Sequence, residues 1–432
     1  MSKLFIKDKA FYKKVALIAV PIALQGLITT SGGNLSIMDN EGNIWITPAG
    51  VDKGTLTRND IICVKPDGTI VGPHKPSSEF PFHASVYKMR PDLKAVLHAH
   101  PPALVAFSIA SRIPNLDLIP SIRRICQDAK IAVYGVPGSE DLGDKIGAVF
   151  AEGCDIAILE NHGVCIGAQD MFTAFQRFET LNFAADLEIQ ATRIGTIKSL
   201  SEEEHRLAVT NHHTKLDDFI PRTFTSEELS ARRDMITLIK RSYRQGLFTA
   251  THGTYSVRLA DDSFLITPFG QDRAYLEEDD LVRVKSGMKE LGKTPSRAVH
   301  LHEVIYKNHP EIRAILQAHP LNAMAFAITD AGFDPRTIPE SYILLRDIKK
   351  LPYNELYDHK AISCDFDAAH PAVIVENNCV IVTGNSLLQA FDRLEVLEAT
   401  AHSLINASAL GKVDRITDEE VEDLKKAFHL ED

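Results

Sequence analysis

HASVYKMRPDLKAVLHAHP, residues 83–101, returns further along the chain as HEVIYKNHPEIRAILQAHP, residues 302–320. The two are one segment written twice, with one informative change: the pair His98 and His100 becomes Gln317 and His319. Working outward, QGLITTSGGNLS (25–36) matches QGLFTATHGTYS (245–256), ITPAG (46–50) matches ITPFG (266–270), and LTRNDIICV (56–64) matches LEEDDLVRV (276–284). NHGVCIG (161–167) is echoed by NNCVIVTG (377–384) with one residue inserted, and similar helical segments follow at 174–188 and 390–402. A period near 220 residues means two whole domains and not a solenoid, because each unit is large enough to bury its own core.

The 432 residues suit two domains of ordinary size, placed at 1–215 and 226–432, with the linker expected within LDDFIPRTFT (216–225). Hydrophobic content of 44% and charged content of 24% are those of a soluble globular chain. A formal charge of -11 with scattered Lys and Arg argues against nucleic acid as a partner, since phosphate contacts need a concentrated basic face. The six cysteines show no CxxC spacing and mostly lie in apolar runs, which favours buried thiols and a reducing, cytoplasmic setting. VALIAVPIALQGLI (15–28) is apolar behind several lysines, but Pro21 and Gln25 interrupt it and it falls short of the roughly 20 residues of a membrane span. Its counterpart, MITLIKRSYRQGLF (235–248), reads as an amphipathic helix, so the first segment is expected to be an unusually apolar first helix, with no membrane partner.

Period and punctuation place short strands at 35–39, 44–47, 61–64, 95–99, 131–133 and 157–159, and helices at 78–90, 102–111, 139–150 and 171–192. Strands interleaved with helices predict an α/β domain whose central sheet is covered on its faces. In a strand, alternate residues face one side, so His98 and His100 present two imidazoles to one point. His162, after an apolar strand, offers a third. Three imidazoles with one open position describe a catalytic metal site, although a His-x-His pair alone is equally consistent with a hydrogen-bonded structural role. Glu79 lies at a helix start, where the plain reading of Ser77, Ser78 and Glu79 is a capped, acidic first turn. The same amides and hydroxyls suit a phosphate, and Gly32, Gly33 and Asn34 form a second small-residue turn.

In order, GGNLSI, ITPAG, KPSSEFPFHASVY, AVLHAHP and NHGVCIG resemble the motifs of the class II aldolase/adducin family, and the first half most resembles its L-fuculose-1-phosphate aldolase branch. The resemblance implies two tandem three-layer α/β/α domains, each around a mostly antiparallel sheet. It implies a zinc ion, one per chain, on His98, His100 and His162, with Glu79 as catalytic acid/base. By the same resemblance Gly33, Asn34, Gly50, Ser77 and Ser78 bind the phosphate of a ketose 1-phosphate, which is cleaved to dihydroxyacetone phosphate and an aldehyde. Zinc would stabilise the enediolate formed as the C3–C4 bond breaks. Ala49 departs from the family's usual Ser or Thr, and a loop tyrosine of related aldolases has no match, Tyr134 corresponding to another position.

In the second copy Glu79 becomes Ala298, His98 becomes Gln317, His162 becomes Asn378 and Asn34 becomes Thr254, leaving His319 alone of the metal set. Family aldolases are tetramers, so a two-domain chain is expected to form a homodimer that mimics one. Alternatives within the resemblance are a sugar-phosphate epimerase, which usually carries Asp at the Glu79 position, a dehydratase or decarboxylase, and a non-catalytic adducin-like interaction protein.

Overall fold

The computed structural model describes residues 15, 16, 18, 19, 22, 26–210, 215–221 and 223–430. The chain divides into two compact units, residues 1–116 with 121–186, and residues 117–120 with 187–432. Each unit holds one sheet.

The first sheet comprises β1 (Asn34–Met38), β2 (Ile44–Ile46), β3 (Ile62–Val64), β4 (Ile70–Val71), β5 (Ala95–Ala99), β6 (Ala129–Ala132), β7 (Ile156–Leu159) and β8 (Gly163–Ala168), in the order 4-3-2-1-5-8-7-6. Every pairing is antiparallel except β6 with β7. The helices α1 (Phe80–Met89) and α4 (Glu140–Ala151) pack together on one face, where Phe82, Val86, Ile146 and Phe150 join Ile46, Ile62, Val96 and Cys165 in one buried cluster. α2 (Pro102–Ile109) lies against β7 and β8 with residues outside that cluster, and α3 (Pro120–Cys126) and α5 (Met171–Ala191) complete the element order. Burial of alternate apolar residues on such a sheet is what the period-2 segments dictate.

The second unit repeats the plan. After α6 (Glu202–Thr210) come β9 (Asp217–Phe219), α7 (Ser226–Arg244), β10 (Thr254–Arg258), β11 (Phe264–Ile266), β12 (Val282–Lys285), β13 (Met288–Glu290), α8 (Val299–Asn308), β14 (Ala314–Ala318), α9 (Leu321–Ala327), α10 (Pro339–Leu345), β15 (Ile348–Leu351), α11 (His359–Ser363), β16 (Ala372–Val375), β17 (Cys379–Gly384), α12 (Leu387–Leu410) and α13 (Asp418–Phe428). The sheet order, 15-16-17-14-10-11-12-13-9, matches the first strand for strand with β9 added at one edge. Register agrees as well: Asn34 faces His98 across β1 and β5, and Thr254 faces Gln317 across β10 and β14. Each unit is therefore a layered α/β domain on a mostly antiparallel sheet, as expected.

Several details depart from the sequence reading. The stretch read as linker contains β9, which pairs in parallel with β13. β4 and β8 were not anticipated: β4 is two exposed residues, and GVCIGA carries no alternation because both of its faces are buried. No residue is inserted in the second copy at NNCVIVTG, since Leu159 pairs with Gly163 as Val375 pairs with Cys379, making Cys379 the counterpart of Gly163. The spacing changes earlier, where the 12-residue α4 is replaced by a short 3-10 turn (Tyr353–Tyr357) and the five-residue α11. Of the segment read as an apolar first helix (15–28), Val15, Ala16, Ile18, Ala19 and Ile22 are helical and buried, residues 26–28 form a turn, and the others lie outside the described residues.

Candidate metal centre

β5 carries His98 to the same face as Val96, the face covered by α1. The strand ends one residue before His100, and the tight turn joining β7 to β8 carries His162. Glu79 occupies the N-cap position of α1, yet its side chain makes no cap hydrogen bond. It turns to the histidines: Oε2 lies 3.2 Å from His98 Nε2 and Oε1 lies 3.3 Å from His162 Nε2. The four side chains each offer one ligand atom, all within 4.8 Å of one another, and this is the one such group among the described residues. The three rings crowd together with centroids 4.5 to 5.0 Å apart.

Crowding requires that neighbours give way. At Gly163 a β-carbon would stand 2.5 Å from the Ala99 carbonyl oxygen and 2.7 Å from His100 Cδ2, so no larger residue fits there. Gly33, at φ +70°, brings the chain to within 2.9 Å of the His98 carbonyl oxygen measured from an added β-carbon.

The donor set suits a divalent cation. His98 Nδ1 donates to the Val164 carbonyl at 2.9 Å, which leaves Nε2 with a lone pair facing the cluster. The buried Nε2 atoms of His98 and His100 and the Nδ1 of His162 have no hydrogen-bond partner. Buried, unpartnered nitrogens on all three of these clustered rings are costly unless something binds them. Burial, then the neighbouring His98 and His162, push His100 down to about 3, so it stays neutral and able to ligate. Burial opposes a charge on Glu79, but the neighbouring His98 and His162 and the hydrogen bond from Asn34 outweigh it and hold the carboxyl well below its usual range.

Behind Glu79 runs a chain of hydrogen bonds absent from the sequence reading. Asn34 Nδ2 donates to Glu79 Oε2 at 2.7 Å, and Asn34 Oδ1 accepts from Nε2 of the fully buried His83. His83 Nδ1 meets Ser36 Oγ at 2.7 Å, and the Tyr87 hydroxyl lies 2.8 Å from the same Oγ and donates to the Ser36 carbonyl at 3.0 Å. Burial, then His98, push His83 down to about 3, so it is neutral. The visible signal was the retention of this trio in both copies: Ser256, His302 and Tyr306 are joined the same way, both contacts at 2.7 Å.

The other expected site residues fall as follows. Ser77 is buried, its hydroxyl accepts from the Glu79 amide at 3.3 Å, and its own amide donates to the Thr47 carbonyl. That bond and the Pro48–Pro76 bridge set the loop of Gly50 (φ +67°) beside Ser77. Ser78 is exposed, and Asn34 is spent on Glu79.

In the second copy, Ala298 holds the N-cap position of α8, Gln317 Nε2 donates to Cys379 Sγ at 3.2 Å, and Thr254 turns to Ser296. His302 Nε2, lacking a counterpart of Asn34, is buried without a hydrogen-bond partner.

The family model of the Class II Aldolase and Adducin N-terminal domain matches residues 13–189 and 233–405. The chain belongs to this family, twice over. The chain is similar to a 5-deoxy-D-ribulose 1-phosphate aldolase of Bacillus thuringiensis serovar kurstaki, 32% identical over 41% of this chain and 84% of that protein. It is similar also to a 3-oxo-tetronate 4-phosphate decarboxylase of Pectobacterium atrosepticum, 30% identical over 38% of this chain and 76% of that protein. Among solved structures, an L-fuculose 1-phosphate aldolase matches 47% of this chain and 96% of its own length at 26% identity, with a TM-score of 0.42. Class II aldolase relatives thus differ in the bond they break. Among the described residues, no helix is long and apolar enough to cross a membrane.

Proposed function

We propose that this chain is a metal-dependent aldehyde-lyase that cleaves a ketose 1-phosphate to dihydroxyacetone phosphate and an aldehyde, working from its first domain alone. The observation that carries the reading is the meeting of three imidazoles, each with a buried nitrogen that lacks a hydrogen-bond partner, with one oriented carboxylate. His98, His100 and His162 would hold one divalent ion, with zinc favoured by an all-nitrogen set. When bound, such an ion supplies Lewis-acid stabilisation of the negative charge that develops as the C3–C4 bond breaks. Glu79 moves the proton at the reacting carbon, its two oxygens aimed by Asn34 on one side and by the histidine cluster on the other. Because Asn34 donates to a carboxylate that can only accept, its carbonyl must accept from His83, and this fixes His83 as the Nε2–H tautomer.

Phosphate recognition is assigned to the amides and hydroxyls around Gly33, Asn34, Gly50, Ser77 and Ser78, with Ala49 lacking a hydroxyl. The substrate is a small sugar phosphate in a cytoplasmic setting. A coupled assay for dihydroxyacetone phosphate, run over a set of ketose 1-phosphates with the zinc-loaded protein, tests the reading. Release of dihydroxyacetone phosphate from one of them supports it; carbon dioxide or dehydrated product from a related sugar phosphate would replace it with a decarboxylase or dehydratase.

A further inference from the structure

The second domain lacks the metal set, yet polar atoms are left over at the corresponding place. The buried atoms Gln317 Oε1, His319 Nδ1 and His302 Nε2 have no hydrogen-bond partner among the described residues. Gln317 and His319 both reach the turn before β17: Gln317 Nε2 donates to Cys379 Sγ at 3.2 Å, and His319 hydrogen-bonds the Asn378 backbone. His302 approaches from α8. In the first unit Asn34 accepts from the equivalent His83, but Thr254 is shorter and is turned to Ser296, so His302, 0% exposed, is left without that acceptor. Thr254 lies directly opposite Gln317 across β10 and β14, which brings the helix side and the strand side to one space.

The chemistry of these atoms restricts what can satisfy them. Burial pushes His319 down to about 4, and burial, then the neighbouring His359, push His302 down to about 3, so both rings are neutral, each with one N–H and one lone pair. A metal ion finds no anionic ligand there: burial pushes the Cys379 thiol up to about 12, and Ala298 stands where Glu79 does. A hydroxyl both donates and accepts, so it fits a neutral imidazole or a primary amide whichever way each is turned. Several hydroxyls on one small molecule would meet all three.

The same cluster carries a cation. Arg297, at the position of the exposed Ser78, is half-buried, with its guanidinium 5.4 Å from the centroid of the Phe269 ring. Its charge is felt at the Tyr357 hydroxyl, which hydrogen-bonds the Asn378 side chain. Burial holds Arg297 below its ordinary value, a penalty that an anion beside it would offset. Next to it α8 opens on Ala298 with no side-chain cap, and the loop of Gly270 (φ +66°) is held alongside by the Pro268–Pro295 bridge and by the Phe269 amide, which donates to the Thr294 carbonyl. Uncapped amides at a helix start favour negative charge.

We propose that the second domain binds a small polyhydroxylated anion, a sugar acid or a sugar phosphate, without a metal, its hydroxyls on Gln317, His319 and His302 and its charged group on Arg297 at the start of α8. The Arg297 guanidinium presents a fork of donors that suits carboxylate and phosphate alike. With Ala298 in place of an acid/base, the domain holds the anion and does not convert it. The binding does not depend on which bond the first domain breaks.

Calorimetry on the full-length protein carrying His98→Ala and His100→Ala tests this, because heat of binding is read where the first centre cannot turn a ligand over. From a panel of sugar acids and sugar phosphates, D-gluconate and D-ribulose 5-phosphate among them, at least one should bind at one site per chain, and its charged group decides between carboxylate and phosphate. Glycerol and inorganic phosphate, each with half of the recognised chemistry, should bind more weakly. Gln317→Leu and, separately, Arg297→Met should each weaken the binding by about tenfold or more with unchanged circular dichroism. Ser78→Ala, the substitution at the equivalent position of the first domain, should leave it as it is. No binding from the panel, inorganic phosphate bound as tightly as the best of it, or binding that survives both second-domain substitutions would each overturn the proposal.

Discussion

Glu79 stands where an acidic residue is normally spent on capping a helix, and the structure shows it spent elsewhere. Its carboxylate faces two imidazoles and one amide, so the N-terminus of α1 supplies position and not a partner. Glu79→Gln keeps the shape but removes the proposed proton carrier; turnover should fall by about a hundredfold or more while metal content, read by elemental analysis, stays unchanged. A variant with near-normal turnover would remove Glu79 from the role. Asn34 allows a separate test. Truncating it to Ala frees one side of Glu79 and leaves the His83 Nε2–H buried without an acceptor, a loss of about 1–3 kcal/mol in stability. Chemical denaturation should show that loss in the folded protein, and His302, whose Nε2 is already unpartnered, indicates that the domain will still fold.

At the level of elements, what was legible followed from periodicity and turns. β5 was placed to the residue and β1, β2, β3 and β7 to within one at each end, because each is an apolar run bounded by Gly, Asp, Asn or Pro. The cluster of Glu79 with three histidines was likewise legible as separate motifs, since each lies at a strand or helix end whose position the repeat confirms. What was not legible depends on partners distant in sequence. β9 becomes a strand only because β13 offers an edge, and His83 could not be separated from an ordinary core histidine without its bond to Asn34. The apolar first helix has an explanation of the same kind. Where the second copy sets Ser242 against Tyr255 and places Arg283 in a buried network with Glu228, the first copy has Ile22, Leu35 and Cys63 at the corresponding positions, all buried. A polar seam in one copy is an apolar seam in the other.

Another element carries a pH signature. Glu398 on α12 accepts from the amides of Asn322 and Ala323 at the start of α9, and burial pushes its carboxyl up to about 7 against the opposing pull of those bonds. A folded-state value above the unfolded one means that the native state binds the extra proton. The contribution to stability is therefore fully present below about pH 4.3 and is lost as pH rises through about 7. Glu398→Gln should flatten the fall in melting temperature between those limits; an unchanged profile would show that Glu398 titrates normally.

On the scale of the whole molecule, the two units share one scaffold, but among the described residues only the first gathers three histidines and a glutamate. Sheet order and register are common to both units, so loss of ligands did not require loss of fold. The losses reinforce one another. Cys379 puts a side chain where Gly163 leaves room for His100, Gln317 turns to that sulfur, and Ala298 offers nothing in place of Glu79. His319 alone cannot hold a divalent ion against water. Elemental analysis of the purified protein should therefore find about one metal per chain. His98→Ala combined with His100→Ala should abolish it, whereas His319→Ala should leave it intact. Because an ion that binds only the native state stabilises that state by mass action, a chelator should lower the melting temperature of the wild type and of His319→Ala alike, and leave the double variant unmoved. Two metals per chain, or metal retained by the double variant, would place a working centre in the second domain and reverse the assignment of which copy does the chemistry.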